Sequence, residues 1–405
     1  MGSAEIIPER VMLVSKFFYR RGGAEVHAIE LERILAGRGL PTAVFAMAHP
    51  LNLSPSGALF TAPEVAIDGP LSRRIKGAMR VMGGFGVASA FRKALHDFRP
   101  TVLLLHNIHS YISPIVAEIA AKRGVRVIWT LHDYKLLCPS YSFLRNGEEC
   151  RECLTSPWSV IRHRCMKSSA VASGLALAEA LRWNRRMTLR SVERFICPSR
   201  FMAERMTEGG YPPERLTVLH NFLTTPAPRL ASGKNRSGVC YIGRLSAEKG
   251  VQTLLKCAVG APWHLTIAGT GPLENELRKS YASLPNVSFL GRIPPEEVTQ
   301  LLTQSEVSVV PSECDENCSL SIIEALCCGT PVVASCSGGN PELVSSGRGI
   351  LFKRGDITMM REAIRQLLAR PIDHKTLAED AQAEFSPEAY ADRITTLIAR
   401  GQPEQ

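Results

Sequence analysis

Short apolar runs, each long enough for one buried strand, recur along the chain and are separated by stretches with helical spacing. That alternation constrains the fold most, because parallel strands buried on both faces need helical crossovers between them. In the first half the runs are Val11–Ser15, Ala43–Met47, Thr101–His106, Arg126–Leu131, Phe195–Pro198 and Thr217–Leu219. Between the first two, an amphipathic helix is expected from about Gly23 to Ala36. Val26, Ile29, Ile34 and Leu35 fall near helical spacing, and Gly37 and Gly39 supply a stop. Strands resume at Val239–Ile242, His264–Ala268, Val287–Leu290, Val307–Val310 and Pro331–Ala334. Between the two series, Thr224–Ser237 is rich in Pro, Ser and Gly, lacks periodicity and reads as a linker. The expected architecture is α/β with two Rossmann-like domains, residues 1–222 and 238–385, joined by a linker over 223–237. A C-terminal helix and tail over 386–405 would pack back on the first domain.

The 405 residues suffice for two or three domains without disulfides. No run of about 18 uncharged apolar residues occurs, and the N-terminus lacks the order of a signal peptide. Twelve cysteines without a secretory signal then favour a reducing, cytoplasmic compartment. The net charge of +10 is unevenly spread: residues 1–222 carry +12 and the remainder −2. The first half is thus expected to meet an anionic partner. Nucleic acid is excluded as that partner, since no finger, RRM-like or basic-tail motif accompanies the charge.

Three segments carry chemistry. In Arg20-Arg21-Gly22-Gly23-Ala24-Glu25, two glycines follow a strand and open a helix. Such a turn suits a phosphate, or is simply tight. In Tyr241-Ile242-Gly243-Arg244-Leu245-Ser246-Ala247-Glu248-Lys249-Gly250, a strand ends at a glycine and two cations follow. Arg244 and Lys249 could clamp a diphosphate, or be stray charges on a solvated loop. In Glu316-Asn317-Cys318-Ser319-Leu320-Ser321-Ile322-Ile323-Glu324, polar residues precede an apolar helical run. The amides of Cys318, Ser319 and Leu320 could face an anion. Glu316 and Glu324 suit sugar hydroxyls, which a carboxylate can accept two at a time. Glu316 could equally be a surface residue, whereas Glu324 lies against an apolar face.

With Gly269-Thr270-Gly271-Pro272 and Gly329-Thr330-Pro331 in the same order, these motifs resemble those of retaining glycosyltransferases of family 4, which have the GT-B fold. The resemblance spans roughly residues 10–370 and is tighter in the second half. It implies two facing Rossmann-like domains with a cleft between them, a UDP- or GDP-sugar donor, and no catalytic metal. It further implies that Arg244 and Lys249 neutralise the diphosphate, Glu324 binds the ribose and Glu316 holds the donor sugar. Gly22 and Gly23 would close on the phosphates, and Arg292 and Ile293 would frame the base. His132, in Trp129-Thr130-Leu131-His132-Asp133, matches a histidine beside the donor sugar. His106 and His109 are weaker acceptor-side candidates. Asn317 and Cys318 stand where the family usually has Gly-Phe, so the sugar pocket is expected to differ. The implied activity is retaining transfer to an acceptor hydroxyl in bacterial cell-surface polysaccharide or glycolipid synthesis. An epimerase of the same fold and a non-enzymatic nucleotide-sugar-binding protein are the alternatives.

Cys138, Cys150, Cys153 and Cys165 are spaced C-x11-C-x2-C-x11-C in a loop-like stretch. They form either a structural zinc site or four loop thiols. The other eight cysteines read as small core residues. Two segments, Leu71–Arg99 and Leu181–Arg205, concentrate cations beside apolar residues. Arg80 and Arg205 are among them. Such surfaces suit either an anionic lipid face at the inner membrane, with a lipid-linked acceptor, or plain solvent.

Overall fold

The computed structural model describes residues 9–65, 71–225, 228, 236–345 and 347–399; for residues 71–74 only the backbone is described. Most of the expected linker, including 229–235, lies outside the described residues. The chain divides into two compact units. The first takes the described residues of 1–145, 150–219 and 390–405, and the second those of 146–149 and 220–389.

The first unit holds a seven-stranded parallel sheet. Its spatial order is Ala58–Ala62, Thr42–Met47, Val11–Val14, Val102–His106, Arg126–Thr130, Arg194–Cys197 and Leu216–Val218. Its central strands are buried along their whole length, which is why they read as unbroken apolar runs. Ala58–Ala62 was not expected: it is a five-residue edge strand with mostly exposed residues. The second unit holds a six-stranded parallel sheet. Its order is Val287–Gly291, Leu265–Ala268, Val239–Ile242, Val307–Val310, Val332–Ser335 and Gly349–Phe352. Gly349–Phe352, also an edge strand and only partly buried, was likewise missed.

The expected helix runs from Gly23 to Gly37, but its buried face differs from the apolar spacing. Val26 and Ile34 are only half-buried, while Glu25, His27 and Glu32 are buried beside Ala28, Leu31 and Leu35. Glu32 is buried because it is satisfied. It accepts hydrogen bonds from Thr42 Oγ1 at 2.7 Å and from the amides of Ser56 and Gly57 at 3.0 and 3.3 Å. The C-terminal helix Pro387–Ala399 enters the first unit at Tyr390. Arg126 there donates to the Leu397 carbonyl at 3.1 Å and to that of Ile398.

Arg80 is not part of a basic surface. It is fully buried, donating to the carbonyls of Tyr111, Pro63 and Phe85 at 2.9, 2.8 and 2.9 Å. Arg205, too, is buried and pairs with Glu208 at 2.6 Å. Both serve packing, since a buried guanidinium is tolerated only when carbonyls or carboxylates take its protons. Of the eight remaining cysteines, Cys197, Cys240, Cys257, Cys318, Cys327 and Cys328 are buried, but Cys314 is half-buried and Cys336 exposed.

Candidate functional site

In each sheet the strand order reverses once, between Val11–Val14 and Val102–His106 in the first unit and between Val239–Ile242 and Val307–Val310 in the second. Loops leaving the carboxyl ends of strands diverge at such points and leave room for a ligand. The sequence motifs lie there.

In the second unit, the loop after Val239–Ile242 carries Arg244 and Lys249, and the loop after Val307–Val310 carries Glu316. Glycine lets the two loops touch. Gly250 adopts φ 67°, and a Cβ there would lie 1.8 Å from the Pro311 carbonyl oxygen. Gly269, at φ 141°, permits a similar approach to Gly243. Lys249 Nζ lies 2.7 Å from Glu316 Oε1, which also accepts from Ser312 Oγ at 2.5 Å. Burial works against the lysine's charge, but Glu316 outweighs it and holds the Lys249 pKa above its ordinary value. The side chain of Arg244 is exposed and has no carboxylate partner among the described residues.

The helix Leu320–Cys327 begins just past Glu316, with Ser319 as N-cap and no side-chain cap. Its first amides are thus available to an anion. The Cys318 carbonyl is held by Asn221 Nδ2 at 3.2 Å, which fixes the entry to the helix. Glu324 sits in the second turn, and burial raises its pKa to about 7. Arg292, exposed, and Ile293, half-buried, follow the strand Val287–Gly291. The structure therefore unites Lys249 with Glu316 directly and places Glu324 one helix turn inside the adjoining element.

In the first unit, Gly22 is the N-cap of the helix Gly23–Gly37, in extended conformation. Glu25, in the first turn, accepts from Asn107 Nδ2 at 2.9 Å and lies 3.9 Å from Lys16 Nζ. Burial lowers the Lys16 pKa, with Glu25 and Asp133 opposing. His132 follows the strand Arg126–Thr130, and its Nε2 is 3.1 Å from His106 Nδ1. His27 completes the group: ligand-capable atoms of His27, His106 and His132 all lie within 4.8 Å of one another. Burial lowers the His132 pKa to about 4, with Asp133 opposing and Lys16 adding, and also holds His27 and His106 well below the ordinary imidazole range. All three are neutral at pH 7. His27 escaped the sequence reading because a histidine on a helix face resembles any other polar residue. So did Lys135, which lies 3.1 Å from the buried Glu179 carboxylate, across 44 residues of chain; His109, an acceptor-side candidate, lies 3.4 Å from the same carboxylate.

The profile of Glycosyltransferase Family 4 matches residues 21–225, just over half of the chain. The chain belongs to glycosyltransferase family 4. A second profile, that of Glycosyl transferases group 1, matches residues 227–384. Among curated relatives, the chain is 29% identical over 171 residues to a protein of Corynebacterium glutamicum, covering 38% of this chain and 45% of the relative. That relative is named GDP-mannose-dependent monoacylated alpha-(1-6)-phosphatidylinositol monomannoside mannosyltransferase. The chain is 28% identical over 305 residues to sulfoquinovosyl transferase SQD2 of Arabidopsis thaliana, covering 70% of this chain and 52% of that one. The family 4 chain thus spans about half the length of the curated relatives it matches. Among solved structures, HepE of Anabaena in complex with UDP superimposes with a TM-score of 0.69 at 17% identity, covering 96% of this chain and 100% of that one. Sucrose-phosphate synthase of Thermosynechococcus elongatus does so at 0.68 and 18%, covering 97% and 98%. The likeness establishes the GT-B type of fold, with two parallel-sheet Rossmann-like domains.

Proposed function

We propose that this family 4 member transfers a sugar, with retention at the anomeric carbon, from a nucleoside-diphosphate sugar to an acceptor hydroxyl. One observation carries the reading. Lys249, paired with Glu316, the exposed Arg244 and the open helix N-terminus at 318–320 share the switch-point end of the second sheet. As the anomeric C–O bond breaks, its electron pair passes to the leaving diphosphate. Arg244, Lys249 and the helix amides would stabilise that charge. The leaving phosphate would then take the proton of the acceptor hydroxyl. Glu324 would accept the ribose hydroxyls, Glu316 a hydroxyl of the donor sugar, and Arg292 and Ile293 would frame the base. In the first unit, Gly22 and Gly23 would bind phosphate. The neutral His132, with Nε2 turned to His106, would offer its other nitrogen to a sugar hydroxyl.

The donor is either a GDP- or a UDP-sugar. The Corynebacterium relative is named for GDP-mannose, and the Anabaena neighbour was solved with UDP. We read the acceptor as a lipid-linked glycan of cell-surface synthesis, met at an anionic membrane face. Exposed Ile75, Met79 and Met82 beside Lys76, on and just past the helix Leu71–Val81, support that reading. No helix among the described residues is long and apolar enough to cross a membrane.

Thermal-shift titration with UDP-, GDP- and dTDP-sugars tests the donor. One class should stabilise the protein, and Arg244→Ala should abolish the shift. Stabilisation by none of them, or an unchanged shift in Arg244→Ala, would refute the reading. Flotation with anionic vesicles tests the surface: recovery independent of anionic lipid would remove the membrane part alone.

A further inference from the structure

Residues 138–165, all of the first unit except 146–149, form a long excursion between the strand Arg126–Thr130 and the helix Ala170–Arg182. A stretch of this length needs something to hold it. Its regular structure is slight: a two-residue strand at Leu144–Arg145, another at Glu148–Glu149, and one-turn helices at Glu152–Thr155 and Ser159–Arg162. Only Cys138, Pro139, Ser140, Phe143 and Val160 within it are buried. Tyr141, Phe143, Asn146 and Arg164 nevertheless hold left-handed backbone, at φ 60°, 51°, 54° and 48°. Non-glycine residues persist there when surrounding structure over-determines them. Cys138, Phe143 and Leu154 pack with the main core of the first unit. Arg164 stands instead beside the small apolar cluster of Val160, Ala176 and Leu177, which is too slight to over-determine it and has Cys153 and Cys165 on its border.

Four thiols converge on the same ground. Cys138, Cys150, Cys153 and Cys165 are all free cysteines, one buried and three half-buried. The Cys153 thiol hydrogen-bonds the Cys138 sulfur, and Cys150 and Cys165 lie within electrostatic reach of that pair. The Cys138 sulfur also accepts backbone N–H groups of Ser140 and Phe143, and Ser140 Oγ is 3.1 Å away. The guanidinium of Arg145 stands near Cys150 and Cys165, held by Glu152 at 2.5 Å and His163 at 2.9 Å. It would offset the excess negative charge of four thiolates around a divalent ion.

We propose that Cys138, Cys150, Cys153 and Cys165 bind one zinc ion as a closed tetrathiolate that staples residues 138–165. Each thiol releases its proton to solvent and gives a sulfur lone pair to the metal, with no change of oxidation state. Zinc–sulfur bonds of about 2.3 Å set tetrahedral sulfurs about 3.8 Å apart. In the structure the Cys138–Cys153 pair is in contact, but no three of the four sulfurs lie within 4.8 Å of one another. Among the described residues, only the histidine group has three or more ligand atoms all within 4.8 Å. Binding therefore draws the half-buried Cys150 and Cys165 inward onto the Cys138–Cys153 pair. With all four positions filled by protein, the ion has no open site for substrate, so its role is structural.

The test is metal content of the full chain, purified reduced and without chelator. One zinc per chain is expected, released in step with modification of the four thiols by a mercurial. Cobalt substitution should give the intense visible bands of a tetrahedral thiolate site. Chelation should speed tryptic cleavage at Arg145, Arg151, Arg162 or Arg164 without aggregation. Cys150→Ser/Cys153→Ser should lose the metal. Should that variant fail to fold, the wild-type zinc count and cobalt spectrum still decide. Absence of stoichiometric zinc after reconstitution, an iron–sulfur spectrum, or a disulfide among these cysteines under reducing purification would each overturn the proposal. None of these readouts depends on sugar transfer.

Discussion

Lys249 Nζ and Glu316 Oε1 stand 2.7 Å apart at the end of the second sheet, although 67 residues separate them in the chain. On the proposed function the pair serves two roles. Glu316 keeps the lysine charged in a partly desolvated place, and the lysine fixes the position of the carboxylate. Lys249→Ala should therefore harm more than phosphate binding, since Glu316 would lose its partner. We expect turnover to fall about 100- to 1,000-fold, the scale for losing one stabiliser of developing charge. Glu316→Gln, which leaves the lysine in place, should weaken nucleoside diphosphate binding less than Lys249→Ala does. Calorimetry with the free nucleotide beside initial rates with the full donor separates the two. Equal loss of nucleotide affinity in both variants would contradict the division of labour.

Glu324 has its pKa raised to about 7 by burial. Its carboxylate form is the better acceptor for ribose hydroxyls. Affinity for the nucleoside diphosphate should then rise as pH climbs from 6 through 7 and level off above. Below 7 it should change by up to about tenfold per pH unit for a single coupled proton. Glu324→Gln should flatten that dependence. It should also raise the Tm of the ligand-free chain at pH 8, because the folded state then no longer holds a desolvated carboxylate. A pH profile identical in variant and wild type would exclude Glu324 from the ribose.

The histidine cluster sets an acid limit. His132 titrates near pH 4 in the fold against 6.5 for an ordinary imidazole, and His27 and His106 are also held neutral. Between those pH values the unfolded chain binds protons that the folded chain refuses. Stability is thus complete above about pH 6.5 and drains as pH falls toward 4. Each pH unit of the gap is worth about 1.4 kcal/mol, so His132 alone removes about 3 kcal/mol by pH 4. Urea midpoints at pH 7 and 5, followed by tryptophan fluorescence, measure it. His27→Leu should reduce the difference, and midpoints independent of pH over this range would contradict the account.

Arg80 provides a stability prediction with no functional component. Its guanidinium satisfies three carbonyls while fully buried, and burial lowers its pKa to about 10, so it stays charged at pH 7. Arg80→Met keeps much of the volume but orphans those acceptors. We expect a loss of about 3 kcal/mol or more, seen in denaturation, with nucleotide affinity unchanged. Loss of vesicle binding in a stably folded Arg80→Met chain would instead place Arg80 at the lipid surface.

The interior strands were legible because a parallel strand covered on both faces must be apolar throughout. Val239–Ile242 and Val307–Val310 were read to the residue. Two of the four edge strands, Ala58–Ala62 and Gly349–Phe352, were not, because runs of four or five residues are too short for periodicity to tell a strand from a loop. The helix Gly23–Gly37 shows the limit from another side. Its existence was clear from spacing and glycine stops, but its buried face was not, because Glu25, His27 and Glu32 are buried by partners distant in sequence.

Sequence alone was enough for the α/β class, the positions of the glycine- and cation-bearing motifs and the four-cysteine pattern. Each of these is a local matter of periodicity, spacing or residue chemistry. The tertiary structure decided which groups act on one another: that Lys249 is held by Glu316, that Glu324 is desolvated, that three histidines share one neutral cluster, and that Arg80 faces carbonyls instead of solvent. Charge state and partnership depend on dielectric surroundings and on neighbours brought from far along the chain. Both come into being only when the strands take their order in the sheet.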